Sequence, residues 1–454
     1  MLKFNAEELS KFAHYYGFHY KGINIHGLAN EVLVEMERGL EGKSSSLPMI
    51  PSYITPVTRI PPEKTVLALD AGGTNLRSSL VYFNEKGEAV TQGTNKTPMP
   101  GTSGQISADD FFGAIADVTL PLLQNAKVEG IGFTFSYPME ITSDADGILL
   151  SFSKEVDAPD VIGKPIARCL REALAAKGYK YTGPIVMLND TVATLLSGHA
   201  VISPDGEPTR TRNDFNLETD GSPVIGFILG TGFNTAYPET SIPKIKFNSA
   251  SSPQIVVCET GNFAVRYRGQ LDVEFDNSTK NPGTYYLEKA SSGAYLGPLT
   301  HHILKQAIRD KVIHFKKSDE LLAMDHLETR FLNEFILSPL AAQGPLGSLF
   351  APSESDALAA VQYLTSIVTE RGALFSAAVL AATIRRVSPG YEPYFPVRVA
   401  VEGTTYMVYK GMRRSIESYL HQMMYGEKPH AYIVSPVEQA SLFGAAVAAL
   451  SNKN

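Results

Sequence analysis

The 454-residue chain has no tryptophan, only two cysteines (Cys169 and Cys258), and no long run of lysine or arginine. Two thiols far apart in sequence are too few for a disulfide scaffold. A bond between them stays open, but such sparse use suits reduced thiols in a cytoplasmic protein. A net charge of −7 without a basic tract argues against nucleic acid as the main partner. Phosphates are not excluded, because backbone dipoles and one or two cations hold them in an acidic protein. No apolar run approaches the roughly 20 residues needed to span a bilayer, so no membrane partner is expected. The opening stretch MLKFNAEELSKFAHYYGF lacks the apolar core of a signal peptide. Its Phe4, Leu9, Phe12 and Tyr16 fall near helical spacing, which reads as an amphipathic helix packing on the body.

Apolar residues at 44% and charged residues at 19% are ordinary for a globular chain. Its length exceeds what one hydrophobic core usually serves, so two domains are expected. A helical segment runs to about Leu40, followed by a polar, proline-containing connector over 41–64. TVLALDAGGTNLRSSLVYF then reads as strand, glycine turn, strand. VEGIGFTFS, GPIVMLND and QIVVCETG are further buried strands, and PVIGFILGTGFNTAYPE repeats the strand–turn–strand plan. Residues 284–310 and 358–387 carry apolar positions at helical spacing over many turns. Strand-like VRVAVEG and YIVS precede a small-residue helix, EQASLFGAAVAALS. Alternation of this kind makes an α/β protein. The polar stretch 203–223 reads as a surface loop.

Between the first two strands, Asp70, Gly72, Gly73, Thr74 and Asn75 form a turn whose glycines let backbone N–H groups approach a phosphate. Thr74 adds a hydroxyl. Asp70 is placed to hold Mg²⁺ through water, with Arg77 supporting the turn or approaching the phosphates. A plain hairpin turn is the competing reading. A dinucleotide-binding loop fits less well, since strand rather than helix follows the glycines. Gly230, Thr231 and Gly232 repeat the device, so two related halves each close a turn over part of a nucleotide. Asn189, Asp190 and Thr191 end one buried strand and open a helix, where ligands gather in α/β sheets but where Asp and Thr also serve as helix caps. Ser136, Ser153, Lys154, Asn234, Glu259 and Glu288 recur at strand ends and loops. Spacing alone does not gather them.

The ordered series LALDAGGTNLR, GFTFSYP, SFSK, MLNDTVATL, GFILGTGFNTAY, CETGNF, NPGTYYLEKASSGAYLG, TERGALFSAA, AVEGTTY and SLFGAA resembles the hexokinase family over nearly the whole chain. That resemblance implies two α/β domains of the actin-like ATPase (ribonuclease H-like) type with an interdomain cleft. It implies ATP and Mg²⁺ as cofactors and a hexose, glucose by the pattern of contacts, as substrate. Asp190 becomes the catalytic base. Ser153, Lys154, Asn189, Asn234, Glu259 and Glu288 become sugar contacts, with Ser136 beside them, and Lys154 also faces the transferring phosphoryl group. Gly72, Gly73, Thr74 and Asn75 form the first phosphate loop, Thr231 with Gly232 the second, and Gly403, Thr404 and Ser441 lie near the adenosine. The domains implied are 1–62 with the large domain, 63–188 as the small domain, 189–438 as the large domain, and 439–454 returning to the small one. Departures from the family pattern are Ser153 for Thr, Thr260 for Trp, Glu402 for Asp and Ala440 for Gly. A non-catalytic hexose sensor on the same fold is the alternative, disfavoured by the presence of Asp190, Lys154 and both turns.

Overall fold

The computed structural model describes residues 3–57, 60–85, 88–142, 144–152, 156–199, 201–202 (backbone), 222–245, 253–339, 341, 343–388, 390–426 and 428–451. In chain order the strands are β1 (Ile50–Pro51), β2 (Lys64–Ala71), β3 (Asn75–Phe83), β4 (Glu88–Pro98), β5 (Ile131–Phe135), β6 (Met139–Ile141) and β7 (Gly147–Leu149). There follow β8 (Ile185–Leu188), β9 (Val201–Ile202), β10 (Val224–Leu229), β11 (Phe233–Glu239), β12 (Gln254–Val257), β13 (Val397–Glu402) and β14 (Tyr432–Pro436). Two six-stranded sheets result, ordered β8-β5-β2-β3-β4-β9 and β1-β12-β11-β10-β13-β14.

The sheets share one plan. In each, a first strand pairs antiparallel with a second, the second antiparallel with a third, and the first also pairs parallel with a fourth that pairs parallel with a fifth. Those five are β2, β3, β4, β5 and β8 in one half, and β10, β11, β12, β13 and β14 in the other. The duplication read from the two glycine turns therefore extends to five strands of each sheet, the sixth differing, since β9 runs parallel to β4 and β1 antiparallel to β12.

A helix follows the fifth strand in both halves, Asp190–Ser197 after β8 and Ala440–Ser451 after β14. These two helices pack on each other, and a Cβ on Gly444 would lie 1.8 Å from the Ala193 carbonyl oxygen. Together with Val66, Val186, Val224 and Ala400 they form a core shared by strands of both sheets. A second core lies under β2, β5 and the helices Ala108–Asn125 and Ile166–Ala176, and a third fills the helix-rich half.

Some expectations are corrected. The N-terminal helical segment is two helices, Ala6–Tyr15 and Ile25–Leu40, capped by the side chains of Asn5 and Asn24. The connector is not wholly irregular, because β1 within it pairs with β12. Residues 284–310 break into Tyr286–Ser291 and Leu296–Arg309 at Ser292–Gly293. Among the described residues one helix, Ser355–Val387, is long and apolar enough to cross a membrane by length and composition; 94% of its apolar window is buried inside the protein, as a core helix is. Cys169 and Cys258 are unpaired. The loop 203–223 lies outside the described residues except at its last two positions.

Candidate active site

Sequence-predicted residues from both sheets sit at strand ends, Asp70, Asn189, Gly230, Glu259 and Gly403 at or just past carboxyl ends and Asn75 and Asn234 at the amino ends of the antiparallel β3 and β11. Asp70 stands opposite Arg77 across the β2–β3 pair and beside Thr134 of β5. That register puts Arg77 and Asp70 on one face of the sheet at the mouth of the first turn. They form an ion pair, and Ser441 Oγ donates to Asp70 Oδ2 at 2.9 Å. Ser441 is held in turn by Thr134, whose hydroxyl donates to its carbonyl at 2.9 Å. The residue assigned to the adenosine side thus lies beneath the first turn.

The turn itself is closed by Gly72 N–H to the Asn75 carbonyl (2.9 Å), while Asn75 Nδ2 donates to Thr74 Oγ1 (2.7 Å). Two contacts at the end of β5 fix it from below. Ser136 N–H donates to the Ala71 carbonyl at 3.0 Å, and the Tyr137 hydroxyl donates to the Gly72 carbonyl at 2.9 Å. Tyr137, buried in the stretch GFTFSYP, was not singled out from sequence; its place just past a buried strand was the available signal.

The second turn is locked from two sides. Gly230 N–H bonds the Gly232 carbonyl (3.0 Å), and the Gly230 carbonyl accepts from Thr405 Oγ1 (2.8 Å) and from Gly293 N–H (2.7 Å). Gly403 has φ +126°, and a Cβ there would lie 2.3 Å from the Leu229 carbonyl oxygen. Only glycine accommodates that approach. Thr231 and Thr404 are exposed at the turn mouths.

On the other side of the cleft, Asn234 Nδ2 donates to Glu259 Oε1 at 3.0 Å, and its Oδ1 accepts from Thr235 and Thr260 N–H. Phe233 N–H donates to Glu288 Oε2 at 2.9 Å. Glu259 occupies the left-handed region at φ 55°, a backbone cost for a glutamate that this network sustains. Thr260, where the family's tryptophan is absent, is fully buried beneath it. Burial, then the neighbouring Asp190 charge, pushes the Glu259 carboxyl up to about 7.

Asp190 lies between these groups. Asn189 is the N-cap, its Oδ1 accepting from Thr191 N–H at 2.8 Å. Capping therefore falls to Asn189, and the Asp190 carboxylate, in the helix's first turn, accepts from the Thr191 hydroxyl at 3.2 Å. Burial, then Asp70, pushes Glu402 up to about 7, with Asp190 adding to the shift; the same Asp190 charge also raises Glu259 and Asp70. Burial is the first cause of the Asp70 rise, opposed by Arg77 and Ser441. Glu402 also meets Thr194 Oγ1 at 3.5 Å, which sequence reasoning noted only as a departure from pattern.

Asp70, Glu402 and Asp190 thus repel one another with Arg77 as their cation partner, an arrangement that an added hard cation would relieve. Among the described residues no group of three or more His, Cys, Asp or Glu is placed to hold a metal directly. The donor chemistry fits Mg²⁺ carried on phosphates and water. Ser153 and Lys154 lie outside the described residues.

Two models of the hexokinase family match the chain, one over residues 13–200 and one over 224–451. Among relatives, a protein named hexokinase-2 from Candida albicans is 26% identical, aligning 94% of this chain with 89% of its own. Glucokinase-1 of Saccharomyces cerevisiae is 29% identical over 84% of each chain. Human hexokinase-3 is 29% identical over 82% of this chain, which spans only 40% of that protein. A solved hexokinase from Schistosoma mansoni, in complex with glucose, superposes with a TM-score of 0.78 at 24% identity, covering 99% of this chain and 100% of its own. That likeness establishes the fold, the two-domain α/β architecture of a hexokinase.

Proposed function

The chain belongs to the hexokinase family, an ATP-dependent sugar kinase by that membership, and from this premise we propose that Asp190 is its general base. The acceptor is the 6-hydroxyl of a hexose, glucose by the pattern of polar contacts, and the donor is ATP with Mg²⁺. Glu259, Glu288, Asn189 and Asn234 hold the sugar hydroxyls, each of which needs a partner once buried. Asp190 accepts the 6-hydroxyl proton as that oxygen attacks the γ-phosphorus, and the bond from phosphorus to the β,γ-bridging oxygen breaks to release ADP. N–H groups of the two glycine turns and Arg77 face the phosphates. Asp70 and Glu402 lie where Mg²⁺, held through water, would neutralise phosphate charge as the bond breaks. Closing the cleft keeps water from competing as acceptor.

One observation carries this reading. Asp190 is the carboxylate whose charge acts on Glu259 among the hexose contacts and on Asp70 and Glu402 beneath the phosphate turns. A base for phosphoryl transfer has to stand between acceptor and donor in this way. The test is an ADP-release assay across glucose, mannose, fructose and glucosamine. Release with glucose at least matching the others is expected, and no release with any hexose would sink the proposal.

A further inference from the structure

We propose that segment 285–294 couples the two substrates, with Lys289 as its positioning residue, so that hexose bound at Glu288 tightens nucleotide at the second glycine turn. This rests on the hexose-kinase reading above. Within ten residues the segment touches both halves of the site. Near its start, Glu288 Oε2 accepts from Phe233 N–H at 2.9 Å. It packs so close to Gly232 and Gly261 that a Cβ on either would come within 3.0 and 3.2 Å of it. At its end, Gly293 N–H donates to the Gly230 carbonyl at 2.7 Å and Ala294 N–H to the Thr231 carbonyl at 3.1 Å. A Cβ on Gly293 would lie 2.7 Å from the Gly230 carbonyl oxygen and 2.4 Å from Thr405 Oγ1, so that junction tolerates no slack. A shift of the segment toward a bound hexose therefore moves the second turn with it.

The six-residue helix Tyr286–Ser291 is too short to hold its own position. A buried ion cluster holds it. Lys289 Nζ donates to Asp276 Oδ1 at 2.5 Å and to the Asn281 carbonyl at 2.6 Å. Asp276 Oδ2 also accepts from Arg268 at 3.0 Å and from Gly283 N–H at 3.1 Å. The Arg268 guanidinium stacks 3.9 Å over the Tyr286 ring. Lys289 and Asp276 are 4% and 5% exposed, so neither charge has solvent as an alternative partner. The cavity beside them, about 10 Å³, holds no more than about one water. The cluster is an anchor, and its rigidity makes the segment move as a unit.

Calorimetric titration of AMPPNP with and without saturating glucose tests this on wild type, Lys289→Met and the isosteric Asp276→Asn. Arg371→Met serves as a control, since Arg371 forms a buried pair with Asp272 in the same region but donates no hydrogen bond to the segment. In wild type, glucose is expected to tighten AMPPNP about tenfold. Both anchor variants should lose most of that factor while binding each ligand alone within about threefold of wild type, and Arg371→Met should keep it. The inference is overturned if folded Asp276→Asn retains the wild-type factor, if Arg371→Met loses it equally, or if wild type releases ADP yet shows no glucose effect on AMPPNP. Absence of ADP release with any hexose would instead overturn the hexose-kinase reading.

Discussion

At the residue scale, the capping role that the sequence left open for Asp190 and Thr191 falls to Asn189. The backbone takes the Asn189 oxygen as its cap, and the Asp190 carboxylate, free of that task, accepts from the Thr191 hydroxyl. We predict that Asp190→Ala lowers kcat by about 10²–10⁴ while leaving the hexose dissociation constant within a few-fold, measured by ADP release and calorimetry. Wild-type turnover in that variant would remove Asp190 as the base. Glu259 supports a second prediction. Its folded pKa, about 7, is raised above the ordinary carboxyl value of 4.5. The folded protein therefore binds more protons than the unfolded chain between those values. Its contribution to the stability of the unliganded protein is fully present below the lower value and is lost as pH rises through the upper one. Glu259→Gln should flatten that decline in thermal melts; an unchanged slope would show that Glu259 does not titrate there. The residues themselves were legible one by one: Asp70, Asp190, Asn234 and Glu259 sit at or next to strand ends that sequence patterning placed, whereas Glu288, expected at a strand end or loop, lies in the helix Tyr286–Ser291. What sequence could not supply was their mutual effect, because a raised pKa depends on burial and neighbours from distant segments.

At the element scale, the repeated strand–glycine turn–strand units proved to be the visible parts of two sheets that share a five-strand plan. The helices after their fifth strands cross at Gly444, with Asp190 and Ser441 close to the site ends of those helices. Gly444→Ala would force its Cβ into the Ala193 carbonyl, and we predict a loss of about 1–3 kcal/mol or more in denaturant unfolding, with kcat falling as well. A variant of wild-type stability would show that the helices separate at no cost. Apolar periodicity found the long helix Ser355–Val387, and its burial inside the protein makes it a core helix, which composition alone does not tell from a membrane span. The periodic run 284–310 concealed a break at Ser292–Gly293, because what ends the first helix is a tertiary bond from Gly293 N–H to Gly230. The Ala108–Asn125 and Ile166–Ala176 helices and strand β4 went unread, β4 because its outer part is exposed and polar.

At the scale of the whole molecule, each sheet has a core of its own, and a third core joins them through the two crossing helices. A cleft between bodies joined in this way is suited to closure, since a hinge needs few residues to absorb the motion. We predict that saturating glucose lowers the radius of gyration in small-angle scattering; identical curves with and without the sugar would count against closure. Sequence by itself determined the α/β class, the two glycine turns and the identities of the candidate polar residues, because periodicity, glycine and chemical type are local properties. Only the tertiary structure decided that the Asp190 charge acts on both Glu259 and Asp70, that Ser441 lies under the first turn, and that segment 285–294 meets both Phe233 and the second turn. Each of these depends on the packing of segments far apart in the chain, which no local pattern records.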